Sequence, residues 1–198
     1  MSDQLKLNRR IILIIFALSV IPFFFAWILK LNPGWLGATT NKGDLINPPV
    51  TTERREFIPF DEFSRANLAQ LSGHWIIINV ITEQDCNQQC QKALFQTRQL
   101  RLMLNKDLVR TRRLVIVLAD VAPEKAALWW QDDRRLLRVK AALSLRGKLE
   151  KIAQGNVPAG MLLLMDPLGN LMMKYAPGFD PYHVKKDLQK LLKISQIG

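Results

Sequence analysis

Trp75-Ile76-Ile77-Ile78-Asn79-Val80-Ile81, running into Thr82-Glu83-Gln84-Asp85-Cys86-Asn87-Gln88-Gln89-Cys90, is the stretch on which the fold turns. Its first part is apolar apart from Asn79 and rich in β-branched residues. Gly73 stands before it and polar residues follow, so it reads as a central, buried strand. From Gln91 to Leu108, Leu94, Leu100 and Leu104 recur near helical spacing with Lys and Arg between them, which predicts an amphipathic helix. Two cysteines thus stand where a buried strand gives way to a helix.

Further elements follow in order. Leu114 to Ala119 is a second buried strand, ended by Asp120. Pro123 opens a helix carrying Ala126, Ala127, Trp129 and Trp130. Met161 to Met165 is a third strand, Asp166-Pro167-Leu168-Gly169-Asn170 a turn, and Leu171 to Tyr175 the returning hairpin strand. Asp180 caps a last helix whose Val184, Leu188, Leu191 and Leu192 share a face. Two β-α-β crossovers, then a hairpin and a helix, predict an α/β, thioredoxin-like sandwich: a central mixed sheet flanked by helices.

Toward the N-terminus, Ile11 to Leu29 holds 19 residues without a charge. At ~1.5 Å per residue such a helix approaches the ~30 Å hydrocarbon core. It is too long for the apolar region of a signal peptide and lacks a small-x-small cleavage site. Trp27, Lys30 and Trp35 stand where interfacial anchors belong. Lys6, Arg9 and Arg10 precede the segment, which places the N-terminus in the cytoplasm and the bulk of the chain outside it. The expected organisation is a cytoplasmic tail over 1–10, a transmembrane anchor over 11–29, a Pro/Gly-rich linker over 30–56 and a folded domain over 57–198. This describes a single-pass protein of the inner membrane with a periplasmic C-terminal domain.

Composition narrows the function. The chain has 198 residues, 48% hydrophobic and 23% charged, which excludes both a disordered tail and a polytopic membrane protein. Two cysteines exclude a disulfide framework and a four-cysteine zinc site. The net charge is +11, and residues 98–151 hold fourteen of the 28 basic residues against six of the 17 acids. Anionic lipid or an acidic protein surface fits that segment, as does a merely solvated charged face. An exported domain does not meet nucleic acid.

Cys86 and Cys90 are four residues apart, on one face if helical, at about 6 Å between Cα atoms. The helix N-terminus favours a thiolate, hence redox chemistry or soft-metal ligation. Cys86, nearest that terminus, is the expected attacking thiol and Cys90 its resolving partner. A static bridge, or two small apolar fillers, is the structural alternative.

Gly73-His74-Trp75, the strand, Cys-x3-Cys, Asp120 with Pro123-Glu124, the Asp166-Pro167-x-Gly169 hairpin and a single N-terminal anchor resemble the SCO/SenC family. The resemblance covers residues 57–195. It implies a membrane-anchored, thioredoxin-fold factor for cytochrome c oxidase biogenesis, with oxidase subunits or other assembly factors as partners. Its site would be Cys86 and Cys90, as redox pair and as ligands of Cu(I). The match departs at Asn87 and Gln91, where the family has prolines, and in a longer loop before Cys86. The family's third copper ligand, a histidine before the Asp-Pro turn, falls on Pro158. Two thiolates suit linear Cu(I), whereas Cu(II) needs nitrogen. His74 and His183, both read as surface residues, are the remaining imidazoles. Pro158 is also the position at which thioredoxin-like proteins place a cis-proline beside their cysteines. The resemblance implies thiol–disulfide exchange or transient Cu(I) holding. A non-catalytic, oxidase-associated protein with a structural disulfide and a generic periplasmic thiol–disulfide oxidoreductase are the alternatives.

Overall fold

Along β3 (Trp75–Ile81), Ile76, Ile78 and Val80 enter one core while Trp75 and Ile77 enter another on the opposite face. All seven residues are buried, as the period-2 geometry of a strand covered on both sides demands. The computed structural model describes residues 2–32 and 40–195, and the chain divides between Thr40 and Asn41 into two units.

The first unit is α1 (Ser2–Leu31). Within it Leu7–Leu31 spans 25 residues, and its most apolar 18-residue window has a mean hydropathy of 2.8. The whole span is about 37 Å of helix, long and apolar enough to cross a membrane with some tilt. The helix begins nine residues before the expected 11–29 segment, because backbone hydrogen bonding continues through Arg9 and Arg10 where apolarity stops. Trp35 lies outside the described residues.

The second unit is a seven-stranded mixed sheet in the order β1-β7-β6-β3-β4-β5-β2. Its strands are β1 (Asp44–Thr51), β2 (Phe57–Pro59), β3, β4 (Thr111–Val117), β5 (Leu137–Ala141), β6 (Leu162–Met165) and β7 (Asn170–Tyr175). The helices are α2 (Glu62–Asn67), α3 (Gln88–Leu102), α4 (Pro123–Ala127), α5 (Leu143–Ala153) and α6 (Pro181–Ile194). β3 runs parallel to β4 and β4 parallel to β5, while β6 is antiparallel to both β3 and β7. One core takes in Leu145, Leu149 and Ile152 of α5; the other takes Ala93 and Leu100 of α3 with Val184, Leu188 and Leu192 of α6. The thioredoxin-like α/β class is therefore the observed one.

Three expectations need correction. The linker expected over 30–56 is shorter, since residues 44–51 pair with β7 as an edge strand. Pro48 and Pro49 sit where the register shifts between Leu45 and Val50, which an edge strand tolerates because no ladder bond is required there. The unit also begins before Phe57. Asp187, 2% exposed, accepts hydrogen bonds from the Lys42 and Gly43 amides at 2.7 and 2.9 Å and from the Tyr175 hydroxyl at 3.1 Å. A Cβ on Gly43 would overlap the Tyr175 ring, so only glycine allows this approach. Burial, with the Asp187 charge beside it, pushes the Tyr175 hydroxyl above its ordinary range.

The third correction concerns the second crossover. It runs β4–α4–β5, not into the strand at 162–165, which is antiparallel to β3. Leu137-Arg138-Val139-Lys140-Ala141 alternates, so Leu137 and Val139 are buried while Arg138 pairs with Asp61 at 2.9 Å. α5 follows with Leu145, Leu149 and Ile152 on its buried face and ends at Gln154 in the left-handed conformation, φ 61°. Glu56, 4% exposed, ties the β1–β2 connection to α5 by accepting from Lys148 Nζ at 2.8 Å. Burial pushes its carboxyl up, but bonds from Lys148, the Glu53 amide and Ser144 outweigh burial and hold it below the ordinary carboxylate range.

Candidate functional site

Cys86 and Cys90 form a disulfide with Cα atoms 5.1 Å apart. The approach is closer than the ~6 Å of a regular helical turn because Cys86 lies outside the helix. Asn87 is the N-cap of α3, and its side chain accepts from the Cys90 amide at 3.0 Å. Asn87 Nδ2 donates to Glu83 at 3.1 Å, and Gln91 Nε2 to the Cys86 carbonyl at 3.4 Å. Asp85 pairs with Lys125 of α4. The loop after β3 is therefore held from both sides, and Cys90 sits in the first turn of α3.

The two cysteines differ in burial, the one expected to attack being the more buried. Cys86 is 7% exposed, inside a cluster with Ile81, Leu94, Trp130 and Leu136; Cys90 is half-buried at its edge. Leu94, Trp130 and Leu136 also wall a cleft of about 370 Å³, with Gln91 and the half-buried Trp129. Its rim carries Phe95 and Leu128, 59% and 67% exposed. Arg98, Gln131, Asp132 and Asp133 complete the lining, so apolar walls alternate with charged and amide groups. A concave surface of this kind beside a disulfide can receive a polypeptide segment. The tryptophans expected on the α4 helix lie just past its end: Trp130 is 5% exposed and edge-on to both Phe60 and Trp129.

Pro158 is at the cysteine end of the sheet, since Gly160 and Met161 bond to Val80 of β3. Its peptide bond is trans: Asn47–Pro48 is the cis bond among the described residues, so the cis-proline expectation at 158 is corrected. His74 lies at the far end of β3, about 20 Å of strand away. His183 faces solvent in α6, 3.7 Å from Asp180. Asp120 is exposed and pairs with Lys140 at 3.5 Å.

A three-donor copper site does not fit these residues. Proline has no donor at the family's third ligand position, and both imidazoles are elsewhere. No group of three or more His, Cys, Asp or Glu side chains is arranged to hold a metal among the described residues.

Behind the disulfide runs a buried polar chain that the sequence reading missed. Arg113 of β4, 4% exposed, donates to Asp133, to the Leu94 carbonyl of α3 at 2.7 Å and to Thr97 Oγ1 at 2.9 Å. Thr97 in turn donates to Asn79 of β3 at 2.8 Å. Burial pulls the Arg113 pKa below its ordinary value, and Asp133 opposes that pull. The chain fixes the α3 backbone one turn past Cys90 against the two central strands. Asn79 within an apolar run, and Arg113 opening another, were its signal in the sequence.

A family model for a transmembrane-like, thioredoxin-like, C-terminal domain matches residues 75–195. Among solved structures, apo Sco1 from Thermus thermophilus is 16% identical, with a TM-score of 0.56 over 78% of this chain and 99% of that one. Yeast Sco1 with copper bound is 17% identical, with a TM-score of 0.54 over 80% of this chain and 96% of that one. BsSco, described as having a disulfide switch and as a member of the Sco family of cytochrome c oxidase assembly proteins, is 11% identical. Its TM-score is 0.50 over 80% of this chain and 99% of that one. The resemblance to SCO/SenC proteins thus holds in the fold. No curated protein matches the chain.

Proposed function

The chain belongs to the family of the transmembrane-like, thioredoxin-like, C-terminal domain, and from that membership we propose a membrane-anchored thiol–disulfide exchange factor of cytochrome c oxidase assembly. The observation that carries this reading is the Cys86–Cys90 disulfide at the strand-to-helix turn, one cysteine buried and the other half-buried beside a cleft of mixed polar and apolar lining. A substrate thiolate attacks Cys90 Sγ; the Cys86–Cys90 bond breaks and Cys86 leaves as a thiolate, protonated from solvent. A second substrate thiolate attacks the substrate sulfur of the mixed disulfide, and Cys90 leaves. The substrate departs oxidised, the pair holds two electrons, and a second protein disulfide takes them by the same exchange. The reverse sequence reduces a substrate disulfide.

Cu(I) held between the two sulfurs of the reduced pair has support in the copper-bound yeast Sco1. The present donor set, with Pro158 in place of an imidazole, favours exchange over copper carriage. The basic flank Lys6, Arg9 and Arg10 supports a cytoplasmic N-terminus and a periplasmic domain. The likeness to BsSco, a member of the Sco family of cytochrome c oxidase assembly proteins, supports oxidase subunits or other assembly factors of the inner membrane as partners. A second reading, a non-catalytic oxidase-associated protein, draws on the burial of Cys86.

In cells lacking the chain, the Cys86→Ser/Cys90→Ser variant is expected to accumulate in the membrane yet leave assembled oxidase at the level of the deletion. Oxidase restored to the wild-type level by that variant would favour the accessory reading. A general loss of periplasmic disulfide reduction, with oxidase intact, would move the assignment to a generic oxidoreductase.

A further inference from the structure

We propose that the cavity between Arg101, Arg112 and Arg135 is a binding site for a phosphate-class oxyanion, supplied as free phosphate or as the headgroup of an anionic phospholipid. The cavity measures about 380 Å³, and Gln70, Leu108 and Val109 contribute to its wall. Among the described residues no carboxylate lines it.

Two of its three guanidiniums are already ordered. Arg101 Nε donates to the Thr111 carbonyl and Nη2 to the Leu108 carbonyl, both at 3.0 Å. Arg112 Nη1 donates to the same Thr111 carbonyl at 2.9 Å and to that of Val109 at 2.8 Å, while its Nε donates to Gln70 at 2.7 Å. One carbonyl thus holds two cations side by side against their repulsion, and among the described residues Nη1 of Arg101 and Nη2 of Arg112 have no hydrogen-bond partner. Arg135, exposed, adds a third charge from the loop before β5. Burial, then the charges of Arg112 and Arg135, lower the Arg101 pKa; burial and Arg135 do the same to Arg112.

Neighbouring carboxylates relieve this only in part, Asp133 opposing the shift at Arg101. Asp133 is spent on buried Arg113, Asp107 pairs with Arg110 at 3.6 Å, and Asp132 lines an adjoining cleft. A carboxylate presents two oxygens and one charge. A phosphate presents enough oxygens and charge for three planar forks, which sets the ligand class. Val109, 67% exposed at the rim, and the apolar α1 helix make a lipid headgroup one real source.

The test uses the full chain in neutral detergent, titrated calorimetrically with inorganic phosphate and with potassium acetate. A separate titration uses mixed micelles of phosphatidic acid or of zwitterionic phosphatidylcholine. Phosphate or phosphatidic acid is expected to bind, with acetate and phosphatidylcholine at least tenfold weaker. Binding of free phosphate identifies the soluble source, and binding of phosphatidic acid alone identifies the headgroup. Arg135→Ser, at an exposed site, should weaken binding roughly tenfold. Arg112→Lys, which keeps the charge and loses the fork, should weaken it too. Arg55→Ser, outside the cavity, should not. Absence of binding by both phosphate probes overturns the proposal. So does equal binding of acetate or phosphatidylcholine, or an equal loss in Arg55→Ser.

Discussion

Asp133→Ala is expected to destabilise the folded unit by about 3–5 kcal/mol, the range for removing one partner of a buried ion pair. Arg113 keeps its other bonds in that variant, but its guanidinium stays 4% exposed with no counter-charge. The loss is the desolvation of an unpaired cation rather than the net worth of the pair, which is small. Arg113→Met/Asp133→Leu removes both charges and should recover much of the stability, leaving Thr97 and the Leu94 carbonyl short of their donor. Thermal denaturation of the two variants checks this. A change below about 1 kcal/mol in Asp133→Ala would place the pair among solvated surface bridges.

Cys86→Ser is expected to trap substrate. In the reductive direction Cys90, half-buried at the edge of the cluster, attacks a substrate disulfide and releases one substrate thiolate, and the mixed disulfide that remains lacks Cys86 to resolve it. Cys90→Ser should trap none, because Cys86 lies inside the Leu94–Trp130–Leu136 cluster. Non-reducing electrophoresis of the two variants from membranes reads the result directly. Alkylation of the reduced wild-type chain should follow the same order, Cys90 before Cys86. Trapping by Cys90→Ser instead would show that helix-terminus electrostatics outweigh burial, since Cys86 is the nearer to those amides.

Period and punctuation made the central elements legible. The β3 run, the two-cysteine turn, the β6–β7 hairpin with its Asp166 and Gly169, and the Asp180 cap all announce themselves within a few residues. The flanks of the sheet, edge strand β1 and β5 beside edge strand β2, were not legible, because they carry less apolar signal than the centre. β1 contains two prolines and β5 alternates with Arg138 and Lys140, so both read as irregular although tertiary pairing makes them strands. The start of the unit depends on Asp187, which finds Lys42 and Gly43 across more than a hundred residues. The positions of Cys86 and Cys90 followed from sequence, but their relative burial did not. That burial depends on Trp130 and Leu136, which a separate segment brings over the turn.

The central claim is that Cys86 and Cys90 exchange rather than merely brace the fold. The most direct test is the reduction potential of the pair in the full chain, read by alkylation after equilibration in defined thiol–disulfide buffers. An exchanging pair is predicted to titrate above about −300 mV, within reach of biological dithiols. A potential below about −300 mV, the range of structural disulfides in secreted proteins, would contradict the account.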